Sequence, residues 1–154
     1  MILSDEKYMQ LALEEAKIAY QEEEVPVGGV IVYQDKIIAK NYNRKRSLKD
    51  STAHTEILLI KEASKVINNW RLNACTMYIT LEPCPMCAGA IIQSRISRLV
   101  FGAKNPIYGS LGSVINLQSY FPDSKNLEIV SGVLEEETSY LMKSFFRNKK
   151  QRFQ

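Results

Sequence analysis

The sequence predicts an α/β fold of three layers, α/β/α, in which helices cover both faces of a central sheet. Segments with the apolar patterns of β-strands alternate with segments whose apolar residues recur at helical spacing. Such alternation is typical of layered α/β domains. The chain has 154 residues, 45% of them hydrophobic, which suits one domain with a sizeable core. We therefore expect residues 1–154 to form a single domain.

Apolar periodicity and turn residues predict the order of the elements. They are a helix over 5–21, strands over 25–33 and 36–39, a helix from His54 to Asn68, a strand over 76–81, a helix from about Pro83 to Ser94, strands over 98–102 and 127–130, and a helix over 134–147. Ser4 is a suitable N-cap for the first helix, and we interpret the acidic run 22–24 as its solvated end. Gly28-Gly29 indicates either a bulge or a close approach of backbone or ligand.

The second half of the chain is predicted to bring two helices together on one face of the sheet. The helix after His54 is apolar over much of its circumference, so it should be packed on several sides. The strand over 76–81 leads directly to Cys84, and small residues in the helix that follows predict close helix packing. Residues 41–52 form a polar loop with four basic residues, and residues 103–113 form a long loop of the kind that is often functional.

His54, Cys84 and Cys87 have the residue types and spacing of a zinc site. His54 is the only histidine of the chain. Zinc prefers nitrogen and sulfur ligands in a tetrahedron, and catalytic sites take three ligands from protein and leave the fourth position to water. At the start of a helix, two cysteines three residues apart project from the same side, where the helix dipole favours thiolates. We therefore predict one zinc ion bound by these three side chains.

Glu56 indicates that this zinc site is catalytic. A two-residue step turns about half-way round a helix, so His54 and Glu56 can reach one atom only from a helix's opening edge. There the carboxylate could take a proton from water and hand it to a leaving nitrogen. H-x-E followed by P-C-x-x-C is the signature of zinc-dependent nucleobase deaminases. A structural zinc knuckle and a disulfide between Cys84 and Cys87 are the alternatives.

Composition restricts the class of protein. The N terminus has acidic residues where a secretory signal has basic ones, and no apolar run approaches the length of a membrane span, so we expect a cytoplasmic protein without membrane contact. Three cysteines in such a chain favour thiols and metal over disulfides, and Cys75 is predicted to be a small buried residue. The net charge of +3 permits nucleic acid as a partner without requiring it.

Several longer segments resemble the bacterial tRNA-specific adenosine deaminases, and the resemblance covers nearly the whole chain. They are Glu24-Val25-Pro26-Val27-Gly28, Asn43-Arg44, His54-Thr55-Glu56, Trp70-Arg71-Leu72, the run from Thr80 to Ile91, Ser94-Arg95-Ile96, Val100-Phe101-Gly102-Ala103 and Phe145-Phe146-Arg147. The resemblance implies a cytidine deaminase-like fold with a central mixed sheet, a homodimer and one Zn²⁺ per subunit. It also implies conversion of adenosine to inosine at the wobble position of a tRNA anticodon, classically that of an arginine tRNA.

The resemblance also assigns roles to individual residues. His54, Cys84 and Cys87 would hold the zinc ion, and Glu56 would move the protons. Asn43 would hydrogen-bond the flipped nucleoside. For the rest of the tRNA anticodon stem-loop we predict three further contacts: Arg44 with phosphate, Asn105 near the substrate backbone, and Phe146 as a platform for base stacking, with packing in the core as the alternative for Phe146.

The chain departs from the family pattern at two positions. Many members have alanine at position 55, and we expect the bulkier Thr55 to turn outward. Many members have aspartate at position 105, and we expect Asn105 to loosen discrimination at the nucleotide's sugar. Rates on matched RNA and DNA hairpins, before and after Asn105→Asp, would test this expectation, and unchanged ratios would dispose of it.

Two other functions remain open from the sequence. A deaminase of guanine or of another small nucleobase would use the same metal chemistry, and Pro85 within P-C-P-M-C also occurs in the guanine deaminases. A nucleic-acid-binding module with structural zinc belongs to another class. It predicts that Glu56→Ala leaves all activity intact, whereas the enzyme hypotheses predict a large loss.

Overall fold

A central five-stranded sheet organises the chain in the computed structural model, which describes residues 3–152, with side chains described for 4–149. The helices are α1 (Leu3–Gln21), α2 (Lys45–Leu48), α3 (Thr55–Ile67), α4 (Pro85–Gln93) and α5 (Glu135–Arg152), and the strands are β1 (Gly28–Tyr33), β2 (Lys36–Tyr42), β3 (Cys75–Leu81), β4 (Arg98–Ala103) and β5 (Glu128–Val130). The strand order is β2-β1-β3-β4-β5. β1 pairs antiparallel with β2 and β3, whereas β3, β4 and β5 are parallel, so the predicted mixed sheet is confirmed.

Helices cover both faces of this sheet, as the three-layer prediction requires. α3 and α4 pack on one face and contact each other, while α1 and α5 contact the strands from the other face. Successive residues of β1 alternate between the two sides. Ile31 joins the core under α3 and α4, whereas Val30 and Val32 join the cluster under α1. α3 contacts the sheet and α4, whereas Val66 near its end is 62% exposed, so the prediction of packing on several sides holds for part of this helix only.

The β1–β2 hairpin forms where the sequence predicts it. Gln34 and Asp35 both have positive φ, at 51° and 60°, which is the geometry of a two-residue turn between antiparallel strands. The register shift lies between Ile31 and Val32 and not at the glycine pair. A Cβ on Gly28 would lie 2.4 Å from the carbonyl oxygen of Ala12 in α1. Close backbone approach, and not a bulge, is therefore the reason for a glycine at position 28.

A buried charged cluster fastens α1 to the sheet. Asp5 is 0% exposed, and its carboxylate accepts hydrogen bonds from two guanidinium nitrogens of Arg98 at 2.7 and 2.8 Å. The hydroxyl of Tyr78 donates to the same carboxylate at 2.8 Å. Arg98 also lies 3.2 Å from the exposed carboxylate of Glu128. These contacts join the first helix to β3, β4 and β5.

The interpretation of the acidic run 22–24 as a solvated helix end is wrong for Glu24. This residue is 3% exposed, and its carboxylate accepts from the backbone N–H groups of Arg46 and Ser47 at 3.1 and 2.9 Å. Those N–H groups belong to the short helix α2, which lies within the segment predicted to be an irregular loop. The first turn of a helix leaves N–H groups without helical partners, and a carboxylate supplied by another segment satisfies two of them here.

Other elements agree with the sequence to within a few residues. Cys75 is buried, as predicted. Phe145 is 8% exposed and packs edge-to-face against the ring of Tyr20, with ring centroids 5.6 Å apart, so it belongs to the core.

Among the described residues, no helix has both the length and the apolar character that a bilayer crossing needs.

Candidate active site

His54 and Cys84 occupy the same position in two different helices. Each is the N-cap residue, with extended backbone geometry, of α3 and α4 respectively. Glu56 lies in the first turn of α3. Pro85 occupies the first position of α4, where its missing N–H costs nothing, and Cys87 follows within the first turn. The prediction that His54 and Glu56 lie at a helix's opening edge is confirmed.

The distances between the three candidate ligands fit a tetrahedral zinc site. Nδ1 of His54 lies 3.6 Å from Sγ of Cys84 and 3.5 Å from Sγ of Cys87. All three atoms lie within 4.8 Å of one another. Zinc bonds of about 2.0–2.1 Å to nitrogen and 2.3 Å to sulfur, at a tetrahedral angle, require a nitrogen–sulfur separation of about 3.6 Å. The sulfurs of Cys84 and Cys87 are free thiols, so the disulfide alternative is wrong.

The electrostatics of the cluster favour a thiolate beside an imidazole. A hydrogen bond from Cys87, joined by one from His54, lowers the pKa of Cys84 to about 4. The same contact raises the pKa of Cys87, because its thiol is the donor. The hydrogen bond with Cys84 raises the pKa of His54. The contacts within the cluster therefore favour the thiolate form of Cys84, and a bound cation would favour that form for Cys87 as well.

Glu56 is a buried carboxyl group beside the three ligands. Its side chain is 4% exposed and lines the same cavity as His54 and Cys84. Burial raises its pKa to about 7, from a usual value near 4.5. A carboxyl group that titrates close to neutral pH can both take and return a proton, which is the property a general acid and base needs.

A cavity of about 910 Å³ opens over these groups. Apolar side chains such as Val27, Leu81 and Met142 form much of its wall. Four basic residues also line it: Lys45, Lys104, Lys143 and Arg147. Such a cavity combines apolar walls, which suit a nucleobase, with cations that suit phosphate.

The structure brings three of the four predicted substrate-binding residues to this cavity. Asn43, Asn105 and Phe146 line it, and Phe146 is 42% exposed there, in contrast to the buried Phe145. The guanidinium of Arg44 instead lies over the ring of Tyr42, 4.3 Å from its centroid, and outside the cavity lining. The structure therefore does not bring Arg44 together with the other predicted residues.

Thr55 does not turn outward, and that expectation is wrong. It is fully buried, and its hydroxyl oxygen lies 2.9 Å from the carbonyl oxygen of Val27 and 2.8 Å from Oδ1 of Asn43. The backbone N–H of Thr55 donates to the same Oδ1 at 2.8 Å. These contacts fix the orientation of the Asn43 amide. Since its oxygen accepts from Thr55, the NH₂ is the polar group that Asn43 can present to the cavity.

Two kinds of residue near the site have no role in the sequence analysis. Lys104, in the loop after β4, and Lys143, in α5, both line the cavity. These segments are distant in sequence, and only the fold brings them together. Glu82 is 1% exposed and accepts four hydrogen bonds from the loop after β4. In the sequence, only its place directly before Pro83 and Cys84 indicates a role for Glu82 at the site.

The comparisons with known proteins agree with this geometry. The family model of the MafB19-like deaminases matches residues 3–150. The tRNA-specific adenosine deaminase of Bacillus subtilis (strain 168) is 47% identical over 143 residues, which cover 93% of this chain and 89% of that protein. A structure solved in a study of A-to-I editing by tRNA:A34 deaminases at the wobble position of transfer RNA is 40% identical, with a TM-score of 0.83. It covers 88% of this chain and 98% of its own.

A structure of lower sequence identity shows the fold alone. The guanine deaminase from Nitrosomonas europaea is 22% identical with a TM-score of 0.79, covering 91% of this chain and 83% of its own. The fold prediction is thus confirmed, and the similarity of sequence favours the adenosine deaminases over the guanine deaminases. The chain belongs to the MafB19-like deaminase family and to the tRNA-specific adenosine deaminases.

Proposed function

We propose that this protein is a zinc-dependent hydrolase that converts adenosine to inosine at the wobble position of a tRNA anticodon. The observation that supports the proposal most directly is the meeting of His54, Cys84 and Cys87 beside the buried Glu56. The cavity above them has room for a nucleobase and basic residues for a nucleic-acid backbone. Relatives named tRNA-specific adenosine deaminases share 41–47% of the sequence over most of the chain.

His54, Cys84 and Cys87 would hold one zinc ion per subunit. The donor set of one nitrogen and two sulfurs, separated by 3.5 and 3.6 Å, suits zinc and leaves one of its four positions open. Zinc bound there would supply the Lewis acidity that makes water nucleophilic near neutral pH.

Glu56 would move the protons of the reaction. The overall change adds water to C6 of adenine and releases ammonia, so protons must travel from the attacking water to a ring nitrogen and then to the leaving amine. Burial raises the pKa of Glu56, so this carboxyl group is suited both to take such a proton and to return it.

Asn43 would orient the nucleobase. Thr55 holds its side-chain oxygen through a backbone N–H at 2.8 Å, so the amide NH₂ is presented in a fixed direction. A preset donor loses little conformational entropy when substrate binds, and it favours the base whose acceptors match it.

The basic residues of the cavity would contact the RNA backbone on either side of the flipped nucleotide. Lys45, Lys104, Lys143 and Arg147 all line the cavity, and Lys143 and Arg147 stand one helical turn apart on α5. Tyr108 and Phe146 are 62% and 42% exposed and could stack on neighbouring bases. An anticodon loop is already unpaired, so extruding one base from it is cheap. We propose an arginine tRNA as the substrate.

We also propose that the chain forms one domain and that it acts in the cytoplasm, where it would encounter tRNA.

We further propose that the protein assembles as a homodimer. Gly89 in the middle of α4 has open space around its Cβ position, although glycine costs about 0.5–1 kcal/mol relative to alanine in a helix. Met86 on the same helix is 38% exposed, and Tyr120, in a 3-10 turn that contacts α4, is 74% exposed. A second subunit packed on α4 would cover these side chains.

Mass analysis of an arginine anticodon stem-loop after incubation with zinc-loaded protein tests the proposal. We expect conversion of the wobble adenosine, with release of one ammonia per loop, and no release from free adenosine or guanine. Glu56→Gln should keep its zinc and lower kcat by about 10²–10⁴-fold, the usual contribution of a general acid and base. Deamination of free guanine without reaction of the stem-loop would contradict the proposal.

A further inference from the structure

We propose that Glu82 is a positioning residue, whose buried carboxylate holds the cavity loop, residues 104–113, in the conformation that forms one wall of the cavity. Its effect on substrate binding rests on the function proposed above, whereas the anchoring of the loop does not. Glu82 lies between the end of β3 and the turn that begins at Cys84. Its side chain is 1% exposed, so its charge depends on protein partners.

Both carboxylate oxygens of Glu82 accept hydrogen bonds from the cavity loop. Oε1 accepts from the backbone N–H of Asn105 at 3.2 Å and from the hydroxyl of Ser113. Oε2 accepts from the backbone N–H groups of Leu111 and Ser113, each at 3.1 Å. An ionised carboxylate offers about four acceptor sites, and four donors occupy them here. These hydrogen bonds give Glu82 the role of binding the two ends of the loop.

Gly109 shows how closely the loop surrounds this carboxylate. A Cβ at position 109 would lie 2.7 Å from Cδ of Glu82 and 2.4 Å from the carbonyl oxygen of Asn105. Real Cβ atoms essentially never make contacts this short, so a side chain here would require the loop backbone or the carboxylate to shift. The backbone N–H of Gly109 instead donates to that carbonyl at 3.0 Å.

The side chains that the loop presents to the cavity cannot hold it in place by burial. Ile107 and Tyr108 are 70% and 62% exposed. Their backbone N–H groups donate to Oδ1 of Asn105 at 3.2 and 3.0 Å, and the N–H of Asn105 donates to Glu82. A continuous set of hydrogen bonds therefore runs from the buried carboxylate to this wall of the cavity.

Glu82→Gln tests the proposal because the side-chain NH₂ of glutamine can take the position of either carboxylate oxygen, Oε1 or Oε2. At the Oε2 position its NH₂ would face the N–H groups of Leu111 and Ser113, neither of which can accept. At the Oε1 position it would face the N–H of Asn105 and a hydroxyl, which can turn and accept. The second arrangement is therefore favoured, and the hydrogen bond to Asn105 is the one that is lost.

In zinc-loaded Glu82→Gln, we expect amide hydrogen exchange at Asn105, Ile107 and Tyr108 to accelerate by about tenfold or more, with Leu111 still protected. NMR resolves these amides separately. KM for the anticodon stem-loop should rise about tenfold while kcat stays within about threefold and zinc remains at one per chain, since the metal ligands keep their places.

Two further variants separate positioning from a general loss of stability. Gly109→Ala keeps the carboxylate but displaces the loop, so it should raise KM and accelerate exchange in the same way. Glu136→Gln makes the same chemical change at an exposed position of α5 and should alter none of these quantities.

Unchanged exchange at Asn105 in Glu82→Gln, or an unchanged KM beside faster exchange, would overturn the proposal. Loss of zinc from Glu82→Gln, with slow amide exchange retained in the cavity loop, would also overturn the proposal. Glu82 would then act on the turn that carries Cys84 and Cys87. If the wild-type protein does not deaminate the stem-loop, the proposed function fails, and the exchange pattern still decides whether Glu82 anchors the loop.

Discussion

Asp5→Asn should destabilise the protein far more than its place near the N terminus indicates. The carboxylate of Asp5 is 0% exposed and accepts from Arg98 at 2.7 and 2.8 Å and from Tyr78 at 2.8 Å. Asparagine keeps one acceptor oxygen but turns an NH₂ group toward a guanidinium N–H. One charge-assisted hydrogen bond, worth about 1.5–3 kcal/mol, is lost, and a buried donor left without an acceptor costs about 1–2 kcal/mol more. We expect the free energy of unfolding to fall by about 3 kcal/mol.

Thermal unfolding of the zinc-loaded protein measures this loss. In a chain of this length about 3 kcal/mol corresponds to a decrease in Tm of roughly 6–12 °C. Glu128→Gln is the matched control, because its carboxylate contacts the same Arg98 at 3.2 Å but is 64% exposed. Exposed ion pairs contribute about 1 kcal/mol or less. A loss below about 1 kcal/mol in Asp5→Asn would refute the reasoning, since the cluster would then behave as a surface ion pair.

Three more predictions concern the metal, the base-orienting contact and the proposed dimer. Removal of zinc by a chelator should lower Tm by roughly 10 °C, reversibly on re-addition of zinc, and an unchanged Tm would speak against a bound metal. Thr55→Val should lower the free energy of unfolding by about 1 kcal/mol and lower kcat/KM on the stem-loop by less than tenfold. Thr55→Ser keeps the hydroxyl and should leave both quantities unchanged. Equal values for the two variants would mean that the hydroxyl does not orient Asn43. Gly89→Glu should yield folded monomers in light scattering, and a persistent dimer would exclude α4 from the interface.

The metal cluster could be predicted from the sequence because its geometry is mostly local. His54 and Cys84 each begin a helix, and Cys87 follows within one turn of Cys84. Residue type and spacing therefore determine where these side chains point. The one long-range step is the meeting of the two helices, which pack against each other on the same face of the sheet. β3 leads almost directly into α4, whereas α2 and a loop separate β2 from α3.

The wrong expectations share one physical cause. Glu24 and Thr55 are polar, and in sequence a polar residue beside a loop suggests exposure. In the fold, each finds its partners on segments distant in sequence: the N–H groups of α2 for Glu24, and Asn43 with Val27 for Thr55. Sequence patterns record which residues are polar but not which distant backbone groups need a partner.

Two basic residues of the cavity lining, Lys104 and Lys143, escaped prediction for the same reason. Lys104 and Lys143 are exposed lysines, of a kind that mostly has no function beyond solvation. They line the cavity only because β4 lies beside β3 and α5 packs on β4, which brings both lysines close to the metal cluster. Long-range topology, and not local pattern, therefore determines which cations can meet a nucleic acid.

The residues proposed for catalysis and those proposed for substrate recognition lie in different parts of the structure. The metal ligands and Glu56 lie in the first turns of two helices packed against the core, where small displacements would cost close-packed contacts. Tyr108 and Phe146 are exposed, and a loop and the last helix carry them. Substitutions among such residues can change which nucleic acid binds without moving the metal. Glu82 joins the two parts, because it lies two residues before Cys84 and accepts hydrogen bonds from the loop that carries Tyr108. A change at Glu82 should therefore act on substrate binding before it acts on the metal.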